Sequence, residues 1–171
     1  MLDTDLRFQK LDRLHEAAMV EFAREFRAEG DDRFDHLLDE PEEFFLLVER
    51  FEFDLELPED RVPMSHFMLF SEDRLVAMSR LRRRLIPVLL RDGGHIGYEV
   101  RPSDRRRGYA GEILRRTLDE ARRLGLERVL LTADDGNPQS IRVILRAGGV
   151  ADGDSTSPRT GLRMLRFWID F

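Results

Sequence analysis

The sequence predicts an α/β (α+β) fold in which helices flank a mixed β-sheet. Apolar residues follow a helical repeat in the N-terminal third, then an extended pattern, and then alternate between the two. Glycine and proline residues separate these segments. The chain of 171 residues is long enough for one domain with its own hydrophobic core.

The N-terminal third is predicted to be helical. A first amphipathic helix is expected between Phe8 and Phe26, ending near Gly30, because apolar side chains recur there at helical spacing (Leu11, Leu14, Ala18, Phe22 and Phe26). A second helix is expected after Pro41, where the same repeat returns (Phe44, Leu47, Val48 and Phe51). The proline-containing segment LPEDRVP then predicts a loop.

The remaining elements alternate between strands and helices. MSHFMLF and RLVAMSRLRRRL, separated by SED, predict a β-hairpin, and HIGYEVRP predicts a third strand after the turn RDGG. Helical spacing runs from Ala110 to Gly125, and RVLLTA then predicts a buried strand in a central position. Asn137 followed by Pro138 is typical of a helix start, and this helix is expected to end at Gly148–Gly149. RMLRFWIDF predicts the last strand.

Composition limits the classes of function. A net charge of −6 argues against a general nucleic-acid binder. The absence of cysteine excludes a disulfide, a thiolate metal site and a cysteine nucleophile, and the four histidines lack metal-ligand spacing, so no metal is expected. No apolar run reaches the ~18 residues needed to cross a membrane, and the N-terminus does not resemble a signal peptide. We therefore expect a cytoplasmic protein without membrane or nucleic-acid partners.

The segment VRPSDRRRGYAGEIL is the strongest candidate for a ligand site. It leads from a strand into a helix, and a helix N-terminus presents free N–H groups and a positive dipole end to anions. Gly108 would let a ligand approach the backbone, and Arg105, Arg106 and Arg107 would add charge-assisted bonds to phosphate. Neither the Walker A pattern nor the dinucleotide fingerprint is present. A solvated basic turn is the alternative interpretation.

The spacing of Val100, Pro102, Arg105, Gly108 and Ala110 resembles the acyl-coenzyme A (acyl-CoA) signature of the GNAT superfamily of N-acetyltransferases. Asn137-x-x-Ser140 at the start of a helix resembles the second cofactor motif of that superfamily, and the order of elements is similar too. MSRLRRRL, GGHIGYEVRPSDRRRGYA and LRFWIDF resemble a bacterial branch of predicted acetyltransferases whose acceptors are mostly unassigned.

The resemblance implies a single GNAT domain over residues 1–171 with a mixed, mostly antiparallel central sheet flanked by helices. Residues 1–60 would form helices on the acceptor side, residues 64–152 the cofactor-binding core and residues 162–171 the C-terminal strand. The implied reaction is acetyl transfer from acetyl-CoA to a primary amine, by direct attack in a ternary complex. The acceptor would be a small molecule or a peptide.

The resemblance also implies site residues. Those expected to bind the cofactor are Tyr98, Glu99, Val100, Arg105, Arg106, Arg107, Gly108, Tyr109, Ala110, Gly111, Asn137 and Ser140. The Val100 amide would stabilise the oxyanion that develops on the thioester. Glu99 or His95, on one face of the same strand, would accept the amine proton.

One position departs from the superfamily pattern. Many GNAT enzymes carry, seven residues after the asparagine, a tyrosine that protonates the leaving thiolate, and Ile144 occupies that position here. The alternative hypothesis is therefore a catalytically silent acyl-CoA-binding module.

The sequence leaves the acceptor open. The acidic block from Glu29 to Asp60 would suit a cationic acceptor, or it forms a solvated face. Arg80, Arg82 and Arg84 alternate along one strand and would suit an anionic acceptor, or they cover an exposed sheet face. Phe167 and Trp168 predict core packing or a homodimer contact.

Overall fold

The computed structural model describes residues 5–171, which form seven strands and six α-helices. The strands are β1 (Leu6–Lys10), β2 (Met64–Ser71), β3 (Arg74–Arg82), β4 (Ile96–Val100), β5 (Arg128–Asp134), β6 (Val150–Thr156) and β7 (Arg163–Asp170). The helices are α1 (Glu16–Ala28), α2 (Asp35–Asp39), α3 (Pro41–Phe53), α4 (Pro87–Arg91), α5 (Tyr109–Arg123) and α6 (Pro138–Arg146). No helix in this range is long and apolar enough to cross a membrane.

The strands form two antiparallel sheets. One has the order β1-β2-β3-β4 and the other the order β5-β7-β6. The sheets adjoin where the chain enters β4, at His95, which bonds to Leu130 of β5. Beyond this point β4 and β5 form no common ladder within the described residues, so a gap opens between them.

Helices cover both faces of the first sheet. The helices α1 to α3 pack on one face through an aromatic cluster in which Phe34 contacts Phe22 and Phe26, with ring centroids 5.5 and 5.0 Å away. On the other face, α5 buries Ile113 and Leu114 against the strands. Burial of these apolar side chains is the main stabilisation of such a layered arrangement.

Most predicted elements are confirmed, and the differences occur where local patterns are weak. The segment predicted as the start of the first helix forms instead the edge strand β1, and α1 begins only at Glu16. Leu14, counted toward the helical repeat, is 93% exposed. The helix α4 and the polar strand β6 were not predicted. β5, predicted to be central, lies at the end of its own sheet, facing β4 across the gap.

Candidate active site

A cleft occupies the gap beyond the junction of β4 and β5. Its volume is about 960 Å³, and its walls come from β4, the loop into α5, and the facing sides of α5 and α6. The lining includes two acidic side chains, Glu99 and Asp119. It also includes seven arginines: Arg33, Arg105, Arg106, Arg115, Arg122, Arg142 and Arg146. The cleft therefore suits a negatively charged ligand.

His95 lies at the junction of the sheets. Its N–H donates to the carbonyl of Leu130 at 2.7 Å, and its Nδ1 accepts from the N–H of Leu130 at 2.9 Å. The adjacent Gly94 has φ +57°, and a Cβ there would lie 2.3 Å from the Leu130 carbonyl oxygen, so the close approach requires glycine. Burial and the nearby Arg82 lower the pKa of His95 to about 4, which keeps the ring neutral at pH 7.

His95 therefore does not occupy the place predicted for a general base. Its Nδ1 lone pair already accepts a backbone hydrogen bond. His95 is not among the described residues that line the cleft. Its role in the structure is to join the two sheets.

The backbone of β4 offers unpaired polar groups to the cleft. The N–H of Arg101 donates to the carbonyl of Val76 at 2.9 Å. This bond shows which residues of β4 direct their backbone groups toward β3. Because such bonds alternate along an antiparallel strand, the N–H and C=O groups of Tyr98 and Val100 point away from β3. They face the gap to β5, and both residues line the cleft. The Val100 N–H is thus available to a ligand.

Glu25 of α1 holds the segment that connects β4 to α5. Its carboxylate accepts hydrogen bonds from Arg101 Nε at 2.6 Å, from the N–H and hydroxyl of Ser103 at 3.1 and 2.7 Å, and from Arg74 at 3.0 Å. Burial would raise the pKa of Glu25, but the bonds from Ser103 and Arg101 outweigh it and lower the pKa to about 2. An ionised carboxylate therefore anchors this segment on α1.

The start of α5 forms an open cradle. Gly108 is the N-cap residue with φ 89°, and it makes no side-chain capping bond, so the first N–H groups of the helix are free of a cap. A Cβ at Gly111 would meet nothing within 4 Å, so the space beside the first turn is open. Tyr109 buries its ring in the core, which fixes the helix start, while Ala110 and Arg106 line the cleft.

The arginines beside this cradle differ in their surroundings. Arg105 lines the cleft, pairs with Glu29 at 2.8 Å, and lies 5.8 Å from the centroid of the Phe26 ring. Arg107 pairs with Asp104 at 3.2 Å and does not belong to the described lining of the cleft. The run of arginines thus places Arg105, but not Arg107, toward a ligand.

Glu99 is a buried carboxylate in the wall of the cleft, with a side chain only 4% exposed. Arg80 of β3 donates to its Oε1, and Arg33, from the connection between α1 and α2, lies 3.6 Å from the same oxygen. Its Oε2 is buried without a hydrogen-bond partner. Glu99 therefore has one oxygen held by guanidinium groups and one buried oxygen without a hydrogen-bond partner.

Tyr98 links β4 to α6 through its hydroxyl group. The phenol lies 2.8 Å from Ser140 Oγ, and Asn137 Oδ1 accepts a bond from the N–H of Ser140 at 3.0 Å. Asn137 and Ser140, singled out by their spacing, therefore lie at the N-terminus of α6, and both line the cleft. Ile144 is 1% exposed and packs in the core behind them.

The sequence patterns do not predict the part of the cleft between α5 and α6. Arg115 and Arg122 project into it from α5, and Arg142 and Arg146 from α6. Spacings of seven and four residues keep each pair on one face of its helix. This periodicity was visible in the sequence, but basic residues repeat in the same way on ordinary solvated helix faces.

Neither charged segment considered for the acceptor faces the cleft as a block. Among residues 29–60, Arg33 is the one that lines it, whereas Glu29, for example, is paired with Arg105. Arg82 donates to the carbonyls of the turn before β4, and burial lowers its pKa to about 10. Arg84 follows the end of β3 and is exposed. The three alternating arginines therefore do not form a common anion-binding face.

The cradle at α5 and the free edge of β4 are continuous. Together they form a site that suits a phosphorylated ligand at a helix N-terminus and an extended arm of that ligand along a strand. The family model of the acetyltransferase (GNAT) family matches residues 11–148. The chain therefore belongs to the GNAT acetyltransferase family, and the GNAT-type fold expected from the sequence is confirmed.

Solved structures share this fold at low sequence identity. A RimL ribosomal L7/L12 alpha-N-protein acetyltransferase in complex with coenzyme A is 14% identical with a TM-score of 0.76, over 100% of this chain and 97% of that one. A ribosomal-protein-S5-alanine acetyltransferase from Vibrio fischeri is 13% identical with a TM-score of 0.72, over 96% and 92%. The putative acetyltransferase yncA from Salmonella typhimurium, with acetyl-CoA, is 15% identical with a TM-score of 0.69, over 96% and 93%. No curated protein matches the sequence significantly.

Proposed function

We propose that this protein is an N-acetyltransferase that uses acetyl-CoA to acetylate a primary amine by direct attack in a ternary complex. The observation that carries the proposal is the continuous path from the open N-terminus of α5 to the unpaired N–H of Val100 on β4. Membership of the GNAT family implies acyl transfer. Two of the similar structures contain coenzyme A or acetyl-CoA, which supports the choice of donor.

The residues present fit coenzyme A. Free N–H groups at the start of α5, with Arg105 and Arg106, would hold the pyrophosphate. The backbone of Tyr98 and Val100 would bond to the pantetheine arm. Arg142 and Arg146, on the facing side of α6, would favour the phosphorylated adenosine end.

The chain supplies two groups to the acetyl transfer itself. The N–H of Val100 stabilises the negative charge that develops on the thioester oxygen, because a fixed dipole needs no reorganisation during the reaction. Glu99 Oε2, buried and unpartnered, takes the proton that the amine must lose before or during its attack. Arg80 and Arg33 hold the other oxygen of Glu99 and thereby orient the carboxylate.

The acceptor is proposed to enter from the side of the N-terminal helices. Arg33 and Phe26 bring this part of the chain into the cleft wall next to Glu99. Residues 1–60 would thus contribute to the acceptor side, and residues 64–152 the cofactor-binding core. The acceptor class is a small-molecule or peptide primary amine.

Calorimetry with acetyl-CoA tests donor binding. Arg106→Glu, which puts a negative charge beside the phosphates, is expected to weaken binding at least about tenfold. Gly111→Val, which fills the open space beside the first helical turn, is expected to weaken it similarly. The matched control is Arg107→Glu, which makes the same charge change in the same loop but outside the described lining of the cleft. Equal loss in Arg106→Glu and Arg107→Glu, or no binding by the wild type, would contradict the proposal.

A catalytically silent acyl-CoA-binding module is the second candidate function. The observation that favours it is Ile144, which is buried in the core and provides no proton donor at the position where many GNAT enzymes have one. Assays of thiol release with acetyl-CoA and a panel of amines separate the two functions. Tight donor binding without thiol release would favour the silent module.

A further inference from the structure

We propose that Tyr98 is the general acid of this protein, protonating the sulfur of coenzyme A as the thioester breaks. The proposal rests on the proposed acetyl transfer and supplies the donor that Ile144 cannot provide. The Tyr98 side chain extends from β4 toward Ser140 in the first turn of α6, four residues before Ile144.

The position of the phenol carries this assignment. Tyr98 lies on the same strand as Val100, two residues before it, and both line the cleft. Its hydroxyl lies 2.8 Å from Ser140 Oγ and 3.4 Å from the Ser140 carbonyl oxygen, at the first turn of α6. A ligand arm that leaves the cradle at α5 reaches Val100 first, and Tyr98 lies two residues further along the same edge of β4. Because alternate residues of a strand share a face, the phenol lies on the same side of β4 as the Val100 side chain. Ser140 orients the hydroxyl group and belongs to the helix that the sequence pattern singled out.

The proton balance of the step is simple. The amine nitrogen bonds to the acetyl carbon, its proton goes to Glu99, and the carbon–sulfur bond breaks. The Tyr98 hydroxyl gives its proton to the departing sulfur, so that free thiol leaves, and the phenolate regains a proton from water in the open cleft. No oxidant, reductant or further reactant is needed.

The surroundings favour the protonated phenol at neutral pH. The pKa of Tyr98 is raised, mainly because the phenol is buried. The hydrogen bond with Ser140 lowers the pKa, and the negative charge of Glu99 beside it on β4 raises it. The other charged groups facing this part of the cleft are Arg115, Asp119 and Arg122 on α5, and Arg142 and Arg146 on α6. Arginine and aspartate as residue types have ordinary pKa values well away from that of a phenol, which is about 10.

The test compares Tyr98→Phe with Ser140→Ala. Release of coenzyme A from acetyl-CoA is measured with amines and with water as acceptor, because either acceptor requires the sulfur to leave. Tyr98→Phe is expected to lower kcat about a hundredfold, to change the Kd for acetyl-CoA less than about twofold, and to abolish the decline of kcat at alkaline pH. Ser140→Ala, which keeps the phenol, is expected to lose less than about tenfold and to retain that decline.

Each remaining outcome decides against a particular claim. If Tyr98→Phe keeps its kcat and its alkaline decline, Tyr98 is not the acid, although the acetyl transfer stands. If Ser140→Ala loses as much as Tyr98→Phe, the serine hydroxyl delivers the proton and the assignment to Tyr98 is overturned. If the wild type binds acetyl-CoA but releases no thiol to amines or water, the acetyl transfer fails, and the acid role fails with it.

Discussion

His95 and Leu130 exchange two hydrogen bonds across the junction of the sheets, one backbone to backbone at 2.7 Å and one from the Leu130 N–H to the imidazole Nδ1 at 2.9 Å. Both residues are buried, so water does not replace these bonds if one is lost. The imidazole therefore acts as an additional backbone-like acceptor where β4 and β5 would otherwise begin to separate. This acceptor lies at the point beyond which β4 and β5 share no ladder within the described residues.

Replacement of this imidazole should cost stability rather than chemistry. His95→Ala leaves the buried N–H of Leu130 without its acceptor, so the free energy of unfolding is expected to fall by about 1–3 kcal/mol. Urea unfolding measures the loss, and His36→Ala, at an exposed position, is the control. The pH dependence of kcat should be unchanged in His95→Ala. A displaced acidic limb would instead show that His95 accepts the amine proton.

Glu99→Gln tests the base. The amide keeps the shape of the carboxylate but cannot take up the proton from the amine, so kcat is expected to fall by about two to four orders of magnitude. The Kd for acetyl-CoA, measured by calorimetry, should change little because the cradle at α5 is intact. Glu42→Gln, at an exposed carboxylate outside the described lining of the cleft, is the control. A Glu99→Gln variant with the wild-type kcat would exclude this role.

The sequence was sufficient for the elements that combine two independent signals. The hairpin of β2 and β3 has an extended apolar pattern and a turn, and α6 has both an asparagine cap and a proline in its first turn. The signature from Val100 to Ala110 likewise combines spacing with the transition from strand to helix. Six residues of this segment line the cleft: Val100, Arg105, Arg106, Gly108, Tyr109 and Ala110. Arg107 does not belong to the described lining.

Elements decided by distant partners could not be predicted in this way. The strand β1 forms because Phe8 stacks on Phe67 of β2, at a ring-centroid distance of 5.0 Å, and a local helical repeat does not reveal that contact. Polar β6 is a strand only because β7 pairs with it. The bond between Tyr98 and Ser140 joins residues 42 positions apart in the chain, and so does not appear in any local pattern.

Glu25→Gln is expected to loosen the loop that precedes the cradle. The amide accepts the bonds from Arg101 and Ser103 less strongly than a carboxylate, so we expect a loss of about 2 kcal/mol and a fall in Tm of several degrees. The lowered pKa of Glu25, about 2, sets the pH dependence of this loss. The carboxylate stabilises the fold above the unfolded value near 4.5, and this contribution disappears as the pH falls toward 2.

Thermal unfolding at several pH values measures this difference. Wild type and Glu25→Gln should differ most above pH 5 and converge as the pH falls below 4.5. Glu42→Gln, at an exposed pair with Arg13, is the control and should unfold like the wild type at every pH. A constant difference between Glu25→Gln and the wild type down to pH 2.5 would contradict the ionic origin of the anchor.

Buried His66 should make the fold sensitive to mild acid. Burial, together with the positive charges of Arg80 and Arg82, lowers the pKa of His66 to about 3, and Nδ1 has no hydrogen-bond partner. The unfolded chain takes up this proton near pH 6.5 whereas the folded chain does not, so acid favours unfolding. Between pH 6.5 and 3 the histidine therefore removes stability as the pH falls, by up to about 1.4 kcal/mol per pH unit.

His66→Leu abolishes the titration without leaving an unpaired polar group. Urea unfolding between pH 7.5 and 5 should give a visibly flatter pH dependence for His66→Leu than for the wild type, and the remaining slope reflects His95, whose pKa is also lowered. Parallel curves for the two proteins would show that the folded and unfolded chains take up the His66 proton over the same pH range, which contradicts a lowered pKa.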